Sequence, residues 1–557
     1  MEKIFKVGVI INSFQMNKFE RDIIEKLDNS NLNIRLYAIL EENLKENSIS
    51  FFIRKINQHG ILRLLELFFF KSFFFLEKKL LRFFNPDIVD LESNFLLNKK
   101  IFYKIINVKP KFSKFRIFSD YSKEDKDLIT KENLDIVLRG NVYEIFKSNK
   151  LNISKYGVIS FHHGDPIWNK GGPAGFWETY FNKPETGFII QILNKNLDNG
   201  NIVFKGELAT KRLYTLNKYN LLRESNNYLI NVIEKILINQ KTTFIQLNVE
   251  NTTILKTPNI FILIKYLIRK FLLITNLFIK KYIKNKKNRW QIGYARKDFN
   301  KVDFKNTNKI KNLKNRYFAD PFVVNENNKD FIFVEDFNYK TKKGSISVIE
   351  IDQEDNQKIY EKIINENFHM SFPFIFKYKN IYYLIPETQE AKSIRLYKCK
   401  NFPDKWEYSH DLISNINCVD SMVFLFKDKY YLITTKSDYD DYSSQLYIYE
   451  SNSPISKIWK PHSLNPVYFD LSSGRNGGLI KIKNKNFRVV QKFGINQYGD
   501  NQYGNEIGIK HIKNLNLDIL EEKFLFDVKP NFQPNLTGIH HLSGIDNFTV
   551  FDYSYYD

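Results

Sequence analysis

An α/β domain followed by an all-β, five-bladed propeller is the architecture that this 557-residue sequence predicts. Three observations predict it. The first 150 or so residues alternate short apolar runs with helical patterns, as a mostly parallel sheet with flanking helices requires. A long basic helical pattern follows near residue 260. From Trp290 onward a unit of apolar strand, polar turn and aromatic strand recurs about every fifty residues, the period of propeller blades. The length exceeds what one hydrophobic core serves, so more than one domain is expected. The 43% hydrophobic content is that of globular protein rather than of a disordered chain.

The bulk chemistry narrows the partners. The net charge of +22 draws nucleic acid, anionic lipid or acidic glycans, but it is spread over the chain. With no nucleic-acid motif present, no nucleic-acid partner is expected. Cys399 and Cys418 are the only cysteines, which excludes a disulfide framework and a Cys-rich metal site. The N-terminus has no signal-peptide pattern and reads as a first strand. Both features predict a cytoplasmic protein.

Lys6–Asn12 (KVGVIIN) is an apolar strand, FERDIIEKL has apolar residues at helical spacing, and IRLYAIL is a second strand. LDIVLRGNVYEIF repeats the pattern and places Arg139 and Asn141 in the loop at a strand's carboxyl end. Loops there line ligand crevices in open α/β sheets. Residues 50–85 form an aromatic, Lys- and Arg-dotted helical insertion, too often interrupted by charge to span a membrane. It reads either as an amphipathic helix on an anionic membrane or as an insertion packed on the domain.

The stretch Gly157–Leu208 concentrates catalytic residue types. GVISF leads into His162 and His163, which face opposite sides of a strand and therefore cannot both address one substrate. This argues against zinc, and no metal is expected. A loop rich in Gly and Pro follows, with Asn169 and Gly172, then the strand TGFIIQIL beginning at Thr186, then Asp198 in a turn. An Asp so placed can orient His162 as a base or hydrogen-bond donor.

The order Ser160-Phe161-His162, Gly172-Pro173, Glu185-Thr186-Gly187 and Leu197-Asp198-Asn199-Gly200 resembles the formyltransferase family of methionyl-tRNA and sugar-nucleotide N-formyltransferases. The resemblance covers roughly residues 5 to 215 and implies a Rossmann-like fold. It implies His162 and Asp198 as catalytic residues, 10-formyltetrahydrofolate as formyl donor and an amine acceptor. The family's oxyanion-binding Asn is Ser160 here, with Asn169 able to assist from the loop, and Arg139, Asn141, Gly172 and Thr186 would contact substrate or cofactor. Loss of one oxyanion donor costs about two to three orders of magnitude in rate.

The first domain is expected to span 1–250 and a basic helical linker 251–289. The linker is either a connecting helix or a second membrane-surface helix, so peripheral contact with the inner face of the membrane stays open. The propeller is expected over 290–557. Its repeating units begin at Asp320, Ser371, Asp420, Arg475 and His540, which a propeller would bring to its axis. Ala319-Asp320-Pro321-Phe322, Ser371-Phe372-Pro373, Pro386-Glu387 and Gly538-Ile539-His540 resemble the five-bladed propellers of glycoside hydrolases such as arabinanases. They resemble more closely the N-terminal domain of plant glucosamine inositolphosphorylceramide transferases. Asp320, Glu387 and Asp420 form the acidic set, and Ser371 stands where a further Asp would complete it, so glycan binding is favoured over hydrolysis.

Taken together, the sequence predicts an N-formyltransferase acting on an amino sugar, such as a sugar nucleotide, in surface-glycan synthesis. The alternative is a glycan-binding or glycan-processing protein with a degenerate formyltransferase-like domain.

Overall fold

The computed structural model describes every residue except 1–2, 43–47, 85–92, 143, 170, 196–199, 247–253, 280–287, 440, 494–505 and 557. The chain divides into two compact units. Met1–Gly206 with Thr210–Leu272 form the first, and Leu273–Asp557 with Glu207–Ala209 form the second.

The first unit is built on a seven-stranded sheet. Its strands are β1 (Phe5–Ile11), β2 (Ile34–Glu41), β3 (Phe102–Val108), β4 (Ile136–Arg139), β5 (Val158–His162), β6 (Glu185–Ile192) and β7 (Asn201–Ala209), in the order β7-β6-β5-β4-β1-β2-β3. From β3 to β5 neighbours run parallel, and β6 turns antiparallel to β5. Buried parallel strands need apolar residues on both faces, and β1 supplies Val7, Val9, Ile10 and Ile11 at 0% exposure. Helix α1 (Lys18–Asp28) starts at a capping box: Asn17 accepts from the Glu20 N–H, and the Glu20 carboxylate accepts from the Asn17 N–H. Its Ile23, Ile24 and Leu27 form the buried stripe that the sequence spacing predicts.

The insertion consists of two helices, α2 (Ser48–His59) and α3 (Ile61–Phe84). α3 packs Phe70 and Phe74 against Phe176 on α4 (Phe176–Phe181), Tyr214 on α5 (Tyr214–Asn239) and Tyr266 on α6 (Ile260–Phe278). The expected linker is therefore corrected. Residues 260–272 of α6 belong to the first unit, because Leu263 and Tyr266 carry the aromatic contacts that hold it there.

The second unit is all β. Blade one comprises β10 (Arg316–Glu326), β11 (Lys329–Asn338), β12 (Lys343–Ile351) and β13 (Gln357–Ile364). Blade two comprises β14 (Ser371–Tyr378), β15 (Ile381–Glu387), β16 (Ser393–Asn401) and β17 (Lys405–Ser414). Blade three comprises β18 (Cys418–Phe426), β19 (Lys429–Lys436), β20 (Gln445–Ser451) and β21 (Lys460–Pro461), and blade four β22 (Arg475–Ile482), β23 (Lys485–Lys492), β24 (Glu506–Leu515) and β25 (Leu520–Val528). Blade five joins both ends of the unit: β26 (Leu542–Ile545) pairs with β27 (Phe548–Tyr556), β27 with β8 (Asn288–Ala295), and β8 with β9 (Asn308–Lys309). The first strands of successive blades touch in a closed ring, β10 to β14 to β18 to β22 to β26 and back to β10. Closure removes the exposed sheet edges that an open stack would leave.

Candidate functional site: the axis of the second unit

The first strands of blades one to four carry the same irregularity. The hairpin register shifts between Ala319 and Phe322, Ser371 and Phe374, Val419 and Met422, and Asn476 and Gly478. A bulge re-aims its extra residue, here towards the axis. In the first three blades that residue is left-handed: Asp320 at φ 51, Phe372 at φ 45 and Asp420 at φ 53. Asp tolerates this conformation, whereas a bulky aromatic is an outlier there. The repeat is thereby corrected by one position, since Phe372, not Ser371, is the counterpart of Asp320 and Asp420. Phe372 is fully buried and packs edge-on against Phe322 and His541.

A second ring lies one strand out. Glu335 pairs with Ala319, Glu387 with Ser371, Thr435 with Val419 and Gln491 with Arg475. Each follows its partner by sixteen residues, a spacing visible in the sequence once the bulges are in register. In blade five the corresponding group is Asp552, whose N–H donates to the His541 carbonyl. Glu335, Gln491 and Asp552 escape a reading confined to the start of each repeat.

The two rings interlock through side chains. His540 Nδ1 lies 2.8 Å from Asp552 Oδ1, and its Nε2 lies 3.1 Å from Asp320 Oδ1. Asp552 also accepts the N–H groups of Asp320 at 2.9 Å and His541 at 2.9 Å, and Asp320 accepts that of Phe372 at 3.2 Å. Across the axis, Arg475 Nε donates to Asp420 Oδ2 at 2.6 Å, Gln491 donates to the same oxygen at 3.3 Å, and Asn476 donates to the Asp420 carbonyl at 2.9 Å. Blades five, one and two are joined on one side, and blades three and four on the other.

These contacts set opposed protonation states. Burial disfavours the imidazolium of His540, but the Asp552 and Asp320 carboxylates outweigh it and raise its pKa to about 10. Burial likewise pushes Asp320 up, and the charge and hydrogen bond of His540, with help from the Phe372 N–H, bring it down to about 2. Glu387 goes the other way: burial, then the neighbouring Asp420 charge, lift it to about 8. Burial and Asp320 raise Glu335 well above the carboxylate range. At neutral pH the axis therefore holds an ionised Asp320 together with a protonated Glu387. His541 lies 3.7 Å from Asp320, but burial holds its pKa near 4, so that contact is not an ion pair at neutral pH. Asp320, His540 and Asp552 also present donor atoms within 4.8 Å of one another. Both His540 nitrogens already face carboxylate oxygens, and an imidazolium has no lone pair to offer a cation.

Aromatic rings border the acids. Trp290 lies with its ring centroid 3.9 Å from that of His540, and Tyr317 stacks on Phe337 at 4.9 Å. Trp290, Tyr317, Phe337 and Glu387 are half-buried, so the constellation reaches the surface there.

The predicted site of the first unit assembles only in part. His162 and Arg139 line one cavity of about 320 Å³, together with Phe161 and Gln191. Arg139 donates to the carbonyls of Val142 and Glu144. Ser160 is buried and donates to the Phe161 carbonyl. Asn141, expected as a ligand contact, instead ties loops together by accepting from the Asn12 N–H and donating to the Ser13 carbonyl. Asn169 accepts the N–H groups of Gly171 and Leu255, and the Gly172 carbonyl accepts from Trp177. Thr186 is fully buried against Thr210 and Asn217. His163 stacks on Phe161, sits 3.2 Å from the Ser225 hydroxyl and is driven to a pKa of about 3 by burial, a core histidine on the opposite face from His162. Asp198 lies outside the described residues.

Residues 300–544 match the family model "Glucosamine inositolphosphorylceramide transferase 1, N-terminal". Three curated relatives bear the name "Glucosamine inositolphosphorylceramide transferase 1". The one from Oryza sativa subsp. japonica is 34% identical over 173 residues, covering 30% of this chain and 23% of its own. The one from Arabidopsis thaliana is 31% identical over 218 residues, covering 38% and 27%. The chain thus spans about a quarter of the length of these relatives. Among solved structures, the native arabinanase of Bacillus subtilis is similar at 13% identity, with a TM-score of 0.31 over 42% of this chain and 93% of its own. A family 117 glycoside hydrolase from Zobellia galactanivorans is similar at 14% identity, with a TM-score of 0.31 over 43% and 76%. These relatives overturn the expected formyl transfer: the chain's matches are named glucosamine inositolphosphorylceramide transferases, not formyltransferases. The formyltransferase assignment is withdrawn, and with it the roles given to His162, Asp198 and Ser160 in that reaction.

Proposed function

We propose that the second unit binds a carbohydrate at its axis and that the protein is a glycan-binding or glycan-processing one. The observation that carries this reading is the axial set of an ionised Asp320, held by His540 against Trp290, and a Glu387 whose pKa burial and the Asp420 charge lift to about 8. A sugar ring offers hydroxyls that both donate and accept, and apolar C–H faces that lie on aromatic rings. A site with carboxylate acceptors, carboxylic-acid and guanidinium donors, and aromatic walls answers each of these. The relatives' name, "Glucosamine inositolphosphorylceramide transferase 1", includes an amino sugar and supports a saccharide over other polyols. A glycan array probed with the whole chain tests the reading. The expected result is a discrete set of bound saccharides, lost in Glu387→Ala and Asp420→Asn variants that keep their circular dichroism. An array without hits, or hits unchanged in both variants, refutes it.

A processing role is favoured by one observation, the pKa separation of two carboxyls in one site, which is the pattern of acid–base pairs. Glu387 would deliver its proton to the departing glycosidic oxygen as the C–O bond breaks. The incoming hydroxyl would lose its proton to Asp320 as the new bond forms. Glu387→Gln should then retain saccharide binding and abolish turnover, whereas a pure binding site shows no turnover in either protein.

A further inference from the structure

The first unit leaves large apolar side chains in water, and about half of those among the described residues lie on two helices. On α3, Leu62, Phe69, Leu76 and Phe83 recur every seven residues, with Leu65 and Leu80 between them, and all six are 48% exposed or more. The opposite stripe of α3 is the one that packs on Tyr214 and Tyr266. On α6, Leu263 and Tyr266 point inward, while Phe261, Ile268 and Phe271 are 55% exposed or more. Single exposed apolar residues need no explanation, but two neighbouring helices with their outer faces apolar along most of their length do.

The charges between these residues choose the occupant. Lys71, Lys79 and Arg82 on α3 and Lys265 and Arg269 on α6 are exposed. The two acids of α3 are spent: Glu66 pairs with Arg63, and Glu77 is buried on Thr215 and Tyr266. Beside α3, a cavity of about 430 Å³ is lined by Lys71, Lys78 and Lys218 with Phe75 and Tyr219, and no carboxylate lines it. Among the described residues, no helix is long and apolar enough to cross a membrane. An apolar face fringed with lysine and backed by a cationic cavity fits the surface of an anionic bilayer, with side chains in the acyl boundary and lysines at the phosphates.

We infer that the outer faces of α3 and α6 dock the protein on an anionic lipid surface, and that the cavity of Lys71, Lys78 and Lys218 receives a lipid phosphate. This does not depend on the saccharide reading. The test is co-sedimentation of the whole chain with vesicles of phosphatidylcholine alone and of phosphatidylcholine with phosphatidylserine. Binding is expected only to the anionic vesicles and should weaken as salt is raised. Each lysine near the surface contributes about fivefold, so K71A/K78A/K218A should lower the partition coefficient by about a hundredfold. Leu65→Ser with Phe69→Ser and Leu76→Ser, all at exposed sites, should abolish binding. Competition by inorganic phosphate alone would place the cavity's anion in solution rather than in lipid and overturn the headgroup assignment. Equal binding to both vesicle types overturns the electrostatic part. Absence of binding by the wild type, or a concentration-dependent dimer that the serine variants dissolve, overturns the proposal outright.

Discussion

Removing the Asp552 carboxylate is the sharpest perturbation of the axial network. Asp552 is 0% exposed and accepts from the backbone of Asp320 at 2.9 Å, of His541 at 2.9 Å and of His540 at 3.3 Å, as well as facing His540 Nδ1 at 2.8 Å. Asp552→Ala strands these donors and leaves His540 with one carboxylate instead of two. Breaking a buried charged pair on one side costs about 3–5 kcal/mol, and each stranded buried donor adds about 1–3 kcal/mol where water cannot enter. A loss of about 5 kcal/mol is therefore expected, a large share of the roughly 5–15 kcal/mol that holds a domain folded. Asp552→Asn keeps an oxygen for some of these donors and should lose about half as much. Urea unfolding followed by tryptophan fluorescence reads both, because Trp290 lies against His540. The His540 ring proton resonance in Asp552→Asn should titrate below 10, since the Asp552 charge is the largest of the contributions that raise it. A destabilisation below about 1 kcal/mol for the alanine variant, far under the buried-pair range, would refute the network as described.

Three further outcomes follow from the same geometry. Stability of the second unit should fall on the alkaline side. His540 has a folded pKa of about 10 against an ordinary 6.5, so its contribution is complete below 6.5 and lost as pH rises through 10. Glu387 acts in the same direction, because the unfolded chain releases its proton near 4.5 and the folded one near 8. Melting temperatures across this range should show the fall, and Glu387→Gln should flatten it between 4.5 and 8; an unchanged profile speaks against a protonated Glu387. In the first unit, Lys150 and Glu41 form a fully buried pair at 2.6 Å, with the Tyr121 hydroxyl donating to the same oxygen at 2.7 Å. Lys150→Met should cost about 3–5 kcal/mol, whereas the double change with Glu41→Gln should recover part of it in a denaturant series. Gly478, at φ 123 and with a Cβ position 2.2 Å from the Leu542 carbonyl, should not tolerate alanine, and soluble yield with a thermal melt will show it.

The sequence spells out what depends on pattern. The apolar run of β1, the Asn17-to-Glu20 cap and the fifty-residue repeat each have a local physical cause and appear where the residues place them. Asp320, Asp420, Arg475 and His540 were legible as axial candidates, and their side chains meet in two pairs, His540 with Asp320 and Arg475 with Asp420. What pattern conceals is the bulge: one extra residue in the inner strands of blades one to four moves the axial position of blade two from Ser371 to Phe372. It also fixes the sixteen-residue offset that brings in Glu335 and Gln491. Motif order likewise cannot reveal where polar atoms are spent. Asn141 and Thr186 look like ligand contacts in the sequence and are consumed inside the fold.

A saccharide held at the axis would lie close to Trp290, whose ring packs on His540. Titrating glucosamine-containing oligosaccharides into the whole chain should give a saturable change in tryptophan fluorescence that disappears in Trp290→Phe and in Asp420→Asn. No change at millimolar saccharide, or a change that persists in both variants, would contradict the account.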